Sequence, residues 1–93
     1  ESACKTFLLN LLDSESGGFR AYPRARVSDL LSTASALYAL KVMGVRLDGI
    51  APQCRRFVES LWTDEGGFCG AEEDRVPDCE YTCYALLALG ALL

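Results

Sequence analysis

Two carboxylates separated by one residue are the strongest candidates for chemistry in this sequence. Asp78 and Glu80 follow Pro77 and precede a long apolar run. Carboxylate oxygens are the ligands that a hard cation such as Mg²⁺ prefers, so the pair predicts a metal site. The same pattern is typical of a helix start, where Asp78 would accept hydrogen bonds from free N–H groups and Glu80 would meet the positive end of the helix dipole. We favour the helix-start interpretation and keep metal binding as the alternative.

Three arginines lie in a loop ahead of another apolar run. Arg20, Arg24 and Arg26 would stand beside a helix start, and both guanidinium groups and free N–H groups favour oxyanions. This combination predicts a site that clamps a diphosphate. The corresponding loop further along the chain is acidic at residues 72–74, so the alternative is that the two loops attract each other, with each exposed pair worth under about 1 kcal/mol. Both interpretations stay open.

The acidic loop is also a candidate for general acid catalysis. Residues 72–74 carry three carboxylates in a row within a polar stretch. A general acid at neutral pH needs apolar walls that raise its pKa, and this stretch has none beside it in sequence. We therefore interpret it as a solvated loop.

The cysteines number five, and several lie within apolar helical patterns. An odd count of this kind suits reduced thiols better than a disulfide framework, which predicts a cytoplasmic location. A thiolate metal site built from Cys69, Cys79 and Cys83 matches no common zinc spacing. Small buried hydrophobes are the simpler interpretation, as for Cys4 and Cys54, which occupy matching positions in two amphipathic helices.

The net charge and the hydropathy argue against nucleic-acid binding and against a membrane-spanning segment. The net charge of -4 gives no overall attraction for a phosphate backbone, which argues against nucleic acid as a partner. The most apolar stretch, residues 84–93, is about half of the roughly 20 residues that a membrane-spanning helix needs. We expect neither a transmembrane segment nor a secretion signal.

Two copies of one unit make up the chain. An offset of 49 aligns Gly17-Gly18-Phe19 with Gly66-Gly67-Phe68, Asp29 with Asp78, Thr33 with Thr82, and Ala36-Leu37 with Ala85-Leu86. Upstream the offset becomes 50, pairing Phe7 with Phe57, so a one-residue slip divides the unit. A period near 50 is typical of stacked repeats, whose units cannot bury their apolar faces alone. We expect one domain, 1–93, with repeat 1 at about 2–44 and repeat 2 at about 51–93.

Each unit reads as an amphipathic helix followed by an almost wholly apolar one. The stripe of the first helix in repeat 2 consists of Cys54, Phe57, Val58, Leu61 and Trp62. The second helices, starting at Ser28 and Asp78, are apolar nearly all round, so we expect them to be buried. Tyr38 and Trp62 are expected in the core. The pattern predicts an all-α fold of two helical hairpins, with an outer and an inner layer of helices.

The two Gly-Gly-Phe strings and the helix starts that follow them resemble the repeat of the protein prenyltransferase β-subunits. The similarity rests on Gly17-Gly18-Phe19 followed by residues 28–34, and on Gly66-Gly67-Phe68 followed by residues 77–84. Residues 61–68 also resemble the aromatic-glycine motif of squalene and hopene cyclases. The resemblance implies an α/α toroid of five to six hairpins around an apolar, aromatic-lined cavity for isoprenoid chains, to which Tyr81 and Tyr84 would contribute.

The resemblance also implies a zinc site that this sequence matches only in part. Family prenyltransferases hold zinc with an Asp and a Cys two residues apart, and with a His from a later helix. Asp78 aligns with the Asp, but Glu80 stands in place of the Cys and Tyr81 in place of the His, and the sequence has no His. Zinc or magnesium therefore stays a candidate cofactor without a complete ligand set.

The leading functional hypothesis is a segment of a prenyltransferase- or terpene cyclase-like toroid that binds an isoprenoid diphosphate. The alternative is a non-catalytic helical repeat used for protein interaction. Further repeats or self-association are expected in either case, and the apolar helix that ends at Leu93 favours a piece of a longer chain. If these residues are the whole natural chain, we expect a trimer of two-hairpin units.

Overall fold

The computed structural model describes residues 2–93, and its regular elements are four helices. These are α1 (Ser2–Leu9), α2 (Leu30–Val42), α3 (Ala51–Ser60) and α4 (Cys79–Ala91). The described part of the chain contains only isolated β-bridges besides these helices, which confirms the all-α prediction. Each hairpin pairs a shorter helix, α1 or α3, with a 13-residue one, α2 or α4.

The two long helices lie side by side and run parallel. At their amino ends the Leu30 N–H donates to the Gly70 carbonyl at 2.8 Å, just before α4 begins. At their carboxyl ends the Lys41 ammonium lies 3.5 Å from the Ala91 carbonyl. α1 packs on α2 and α3 packs on α4, so the two hairpins form an outer and an inner layer, as the periodicity predicted.

The Gly-Gly-Phe strings form two equivalent turns, which we call turn 1 (residues 13–20) and turn 2 (residues 63–69). In each turn the phenylalanine N–H donates to the threonine hydroxyl of the following helix, at 2.9 Å for Phe19 and Thr33 and at 3.0 Å in turn 2. Each hydroxyl in turn donates to the carbonyl of the aspartate before that helix, at 2.8 Å. The matching sequence positions therefore make matching hydrogen bonds.

The one-residue slip between the repeats lies inside these turns. In turn 1 the Gly17 N–H donates to the Asp13 carbonyl, four residues earlier. In turn 2 the Gly66 N–H donates to the Thr63 carbonyl, three residues earlier. Turn 1 therefore contains one more residue than turn 2. The hydrogen bonds on either side of the extra residue still match between the two turns.

The start of α2 differs from the sequence prediction. Its N-cap is Asp29, whose carboxylate accepts from the Ser32 N–H at 2.7 Å, whereas Ser28 was expected to begin the helix. The buried Ser28 hydroxyl instead pairs with the Ser16 hydroxyl at 2.7 Å. A carboxylate reaches the first-turn amides from Asp29 because that residue has the extended backbone of an N-cap.

The core lies between the two hairpins. Its largest fully buried side chains are Phe19, Leu30, Leu37, Leu40, Leu61, Val58, Thr33, Cys54 and Cys69. Several expected core residues lie outside it. Tyr38 is 61% exposed, Trp62 is half exposed with its ring against Phe68, and α1 has no buried residue. The prediction that the long helices are buried is wrong for one side of each, because one neighbour cannot cover a helix that is apolar all round.

Within residues 2–93, no helix combines the length and the apolar composition needed to cross a membrane.

Candidate functional site

An exposed row of apolar side chains runs along α2 and α4. We call it the apolar stripe; it consists of Leu31, Tyr38 and Val42 on α2 with Tyr84 and Leu87 on α4. Leu31, Tyr38 and Leu87 are about half exposed or more, and Tyr84 is half-buried against the core. Tyr38 and Leu87 occupy equivalent positions in the two repeats, so the repeat accounts for this one position of the stripe.

At the amino end of α4, Asp78 acts as a helix cap. Its carboxylate accepts from the Tyr81 N–H at 2.7 Å, as the helix-start interpretation predicted. Glu80 lies exposed in the first turn, where its negative charge interacts favourably with the positive end of the helix dipole. Tyr81 packs its ring over Gly70 so closely that a Cβ added there would lie 2.5 Å from the ring. Glu80 is therefore the freer of the two candidate metal ligands.

The three candidate arginines have unequal surroundings. Arg20 lies 3.6 Å from the Asp13 carboxylate within its own turn. Arg24 and Arg26 are exposed and form no ion pair within residues 2–93. On the acidic loop, Arg75 pairs with Glu72 at 2.7 Å. Ion pairs thus form inside each loop rather than between the two loops.

The arginine loop and the carboxylates lie at the same end of the molecule. Because α2 and α4 run parallel, the loop before α2 and the residues at the start of α4 share the amino end of the inner layer. Two of the first three amides of α2 already have protein acceptors, since Leu30 donates to Gly70 and Ser32 donates to Asp29. An anion at this end would therefore meet guanidinium groups rather than these amides.

Whether a metal ion fits at Asp78 depends on the donor groups near it. Within residues 2–93, no three His, Cys, Asp or Glu side chains come close enough together to hold one. Asp78 also uses a carboxylate oxygen for the helix cap. These residues do not fit a complete zinc site. That Asp78 and Glu80 hold a cation together with donors from elsewhere stays a prediction.

All five cysteines are free thiols. Cys54 is fully buried, and burial raises the pKa of its thiol to about 11. Cys69 is also buried and contacts the Ala71 carbonyl. Cys4, Cys79 and Cys83 are exposed, so the expectation that these three cysteines would be buried hydrophobes is wrong within this chain.

A cavity that the sequence did not reveal lies at the opposite end. It measures about 670 Å³ and lies between α1 and the loop after α2, with Lys5, Leu9 and Val45 among its lining residues. Arg46 also lines it and pairs with Asp48 at 2.6 Å, which lowers the pKa of that carboxyl. No motif could signal this cavity, because it forms between segments that are far apart in the chain.

The two hairpins have the geometry of a two-layer helical repeat, and comparison with known protein families agrees with it. The model of the prenyltransferase alpha-alpha toroid domain matches residues 1–55 and again residues 50–93. The chain therefore belongs to the prenyltransferase alpha-alpha toroid family and is a segment of such a fold, as its Gly-Gly-Phe strings indicated. Comparisons with curated proteins and with solved structures found no match.

Proposed function

We propose that the chain forms part of an isoprenoid diphosphate site, with the apolar stripe holding the hydrocarbon and the arginine loop holding the diphosphate. The single observation that carries the proposal is the exposed stripe, which leaves aromatic and aliphatic side chains facing solvent in a row. Lipid sites are lined mainly by apolar and aromatic side chains with a few polar groups at one end.

The polar end of the proposed site is the amino end of the inner layer. Arg24 and Arg26 are exposed without an acidic partner within residues 2–93, so their guanidinium groups are available for phosphate oxygens. Tyr81 and Tyr84 lie between that end and the aliphatic part of the stripe. Arg20 is the weaker candidate because Asp13 already lies beside it.

A protein-interaction scaffold is the second candidate function. It is favoured by the openness of the stripe. None of the larger cavities formed by residues 2–93 is lined by Tyr38, Tyr84 or Leu87. A scaffold needs an exposed apolar face but no enclosed lipid pocket.

Titration with farnesyl and geranylgeranyl diphosphate, with and without Mg²⁺ or Zn²⁺, separates the two functions. Saturable binding of either diphosphate is expected, with weaker binding of farnesol and of inorganic diphosphate because each presents only half of the recognised groups. If the folded chain binds none of these ligands, the isoprenoid proposal is wrong and the scaffold is the better account.

Matched variants test the assigned groups. Arg24→Ala with Arg26→Ala should weaken diphosphate binding by about tenfold or more, because hydrogen bonds to charged groups are worth about 1.5–3 kcal/mol each. Arg56→Ala, which removes an exposed arginine from the outer helix α3, is the control and should leave binding unchanged. Equal effects of the two changes would remove the arginine loop from the site.

A further inference from the structure

The cavity of about 670 Å³ lies between the outer helix of the first hairpin and the residues that lead into the outer helix of the second. On one side it is lined by Ser2, Lys5 and Leu9, whose spacing places them on one face of α1. On the other side it is lined by Gly49 and Ile50, just before α3. Both hairpins of the chain therefore supply its walls.

The loop that closes the cavity, residues 43–50, is held by backbone hydrogen bonds at both ends. After α2, the Val45 N–H donates to the Leu40 carbonyl at 3.0 Å, and Gly44 has a φ of +80°. Before α3, the Ile50 N–H donates to the Leu47 carbonyl at 3.0 Å, and the Leu47 side chain is buried. A left-handed glycine followed by such a bond is a common way to end a helix. The loop is thus fixed in place, and the cavity is formed before any ligand binds.

The floor of the cavity is apolar. Leu9, Val45 and Ile50 are half-buried and pack against the hydrophobic core, and Met43 lies beside them with 36% of its surface exposed. Cavities of about 300–1,000 Å³ with mainly apolar walls and a few polar groups are typical of small-molecule sites. The floor therefore suits a hydrocarbon chain.

The charged residues of the cavity have one sign. Among residues 2–93, its charged lining residues are Lys5 and Arg46, both cationic and both exposed. Acidic residues outnumber basic ones by 13 to 9 in the chain, so a lining with cations alone differs from the rest of the surface. Two cations at the rim of an apolar floor favour an anionic group at the mouth of the cavity.

The ion pair between Arg46 and Asp48 leaves the guanidinium group able to bind a second anion. The two side chains are 86% and 75% exposed, and exposed ion pairs contribute little to stability. A guanidinium group has five N–H donors, and its bond to Asp48 joins one arginine nitrogen to one carboxylate oxygen. Arg46 can therefore donate to a ligand oxygen while it keeps Asp48.

From these walls we propose that the cavity binds an amphiphilic anion, a molecule with one hydrocarbon chain and a carboxylate or phosphate head. The chain lies on Leu9, Val45 and Ile50, and the head meets Lys5 and Arg46 at the rim. Because the floor is packed on the core and the loop is fixed, binding needs little ordering of the protein. This site is separate from the arginine loop, which lies at the other end of the molecule.

Titration calorimetry with decanoate, below the concentration at which it forms micelles, tests the proposal. Decanoate should bind saturably, with one molecule per chain. Decanol has the same chain without the charge, and propionate has the same head without the chain, so each should bind at least tenfold more weakly. Decyl phosphate should bind as well, and the tighter of the two anions identifies the preferred head group.

Two variants separate the contributions of charge and of space. Lys5→Ala with Arg46→Ala should weaken decanoate binding about tenfold or more and should leave decanol binding unchanged, so the preference for the anion is lost. Gly49→Leu should weaken the binding of both ligands, because it places a side chain in the lining of the cavity. A Cβ at Gly49 would meet nothing within 4 Å, and its φ lies outside the left-handed region, so this variant should fold.

Arg55→Ala with Arg56→Ala is the matched control, since it removes two cations of α3 that do not line the cavity. It should bind decanoate like wild type, and circular dichroism should show the same helix content in every variant. If folded wild type binds neither decanoate nor decyl phosphate, the proposal is wrong. Decanoate binding that is equally strong in wild type, in Gly49→Leu and in the variant without Lys5 and Arg46 would also overturn it, since the ligand would then lie elsewhere.

Discussion

Gly17 and Gly66 have the same left-handed backbone but different neighbours. Their φ angles are +88° and +97°, a region in which an L side chain is strained. Only at Gly17 does a neighbouring backbone atom also occupy the space of a side chain. Gly66 is therefore required for its backbone conformation alone. Gly17 is required both for its backbone conformation and because a side chain would collide with its neighbour.

Alanine substitution at each glycine should separate these demands. In dilute solution, Gly66→Ala should lower the free energy of unfolding by about 1–2 kcal/mol, the cost of a left-handed residue. Gly17→Ala should lower it by about 1–3 kcal/mol more, because the added methyl group collides with the Gln53 carbonyl. Urea denaturation measures both values, and equal losses would show that the contact with Gln53 relaxes freely.

Asp78 and Asp29 make the same cap and differ in their proposed roles. Replacing either with Ala should lower the free energy of unfolding by about 0.5–2 kcal/mol, because a first-turn N–H loses its acceptor. If Asp78 also holds a cation, Asp78→Ala alone should abolish metal-dependent binding of an isoprenoid diphosphate. A stability loss with unchanged metal-dependent binding in both variants would limit Asp78 to capping.

At the scale of elements, one threonine hydroxyl ties each turn to the helix that follows it. Thr33 accepts from the Phe19 N–H and donates to the Asp29 carbonyl, and Thr82 repeats both bonds. The hydroxyl is placed by helix geometry, so it holds the turn at a fixed position above the first turn of α2. The Gly-Gly-Phe string and the later threonine thus form one structural unit although 13 residues separate Phe19 from Thr33 in the chain.

Removing this hydroxyl should be more costly in repeat 1 than in repeat 2. Thr33→Val leaves the buried Phe19 N–H without an acceptor, which should lower the free energy of unfolding by about 1–3 kcal/mol. Thr82 is only half-buried, so water can replace part of its bond in Thr82→Val and the loss should be smaller. Chemical denaturation of the two variants measures the difference, and the reverse order would contradict this account.

At the scale of the whole molecule, burial sorts the five thiols into two classes. In a single chain, Cys4, Cys79 and Cys83 should react quickly with iodoacetamide, and Cys54 and Cys69 should react only on unfolding. Mass mapping of the labelled sites checks this order. Rapid labelling of Cys54 in the folded chain would contradict the packing of α3.

Stability should also fall at high pH because of Cys54. Burial raises the pKa of its thiol from 9.0 to about 11, so the folded chain favours the protonated form. The resulting stabilisation is complete below about pH 9 and is lost as the pH rises through 11. The difference in free energy of unfolding between wild type and Cys54→Ala should shrink over this range. A difference that stays constant with pH would contradict the shift.

The residues that determine local structure could be predicted from sequence because their effects act over short distances. The Gly-Gly-Phe string and the aspartate cap of α4 depend on backbone conformation and on hydrogen bonds within a few residues. The repeat offset could likewise be read directly, and it matched the hydrogen bonds of the two turns. The family match to both halves confirms that this local information was sufficient to identify the fold.

Burial was decided only by the tertiary structure, since it depends on how many neighbours a helix has. Helices α2 and α4 have nearly the same apolar composition, yet Leu37 is buried and Leu86 is exposed. The same holds for Cys54 and Cys4, which share one position in the repeat. Sequence by itself determined the unit and its hydrogen bonds, whereas packing decided which copy of each apolar face is covered, because covering a face requires another hairpin beside it.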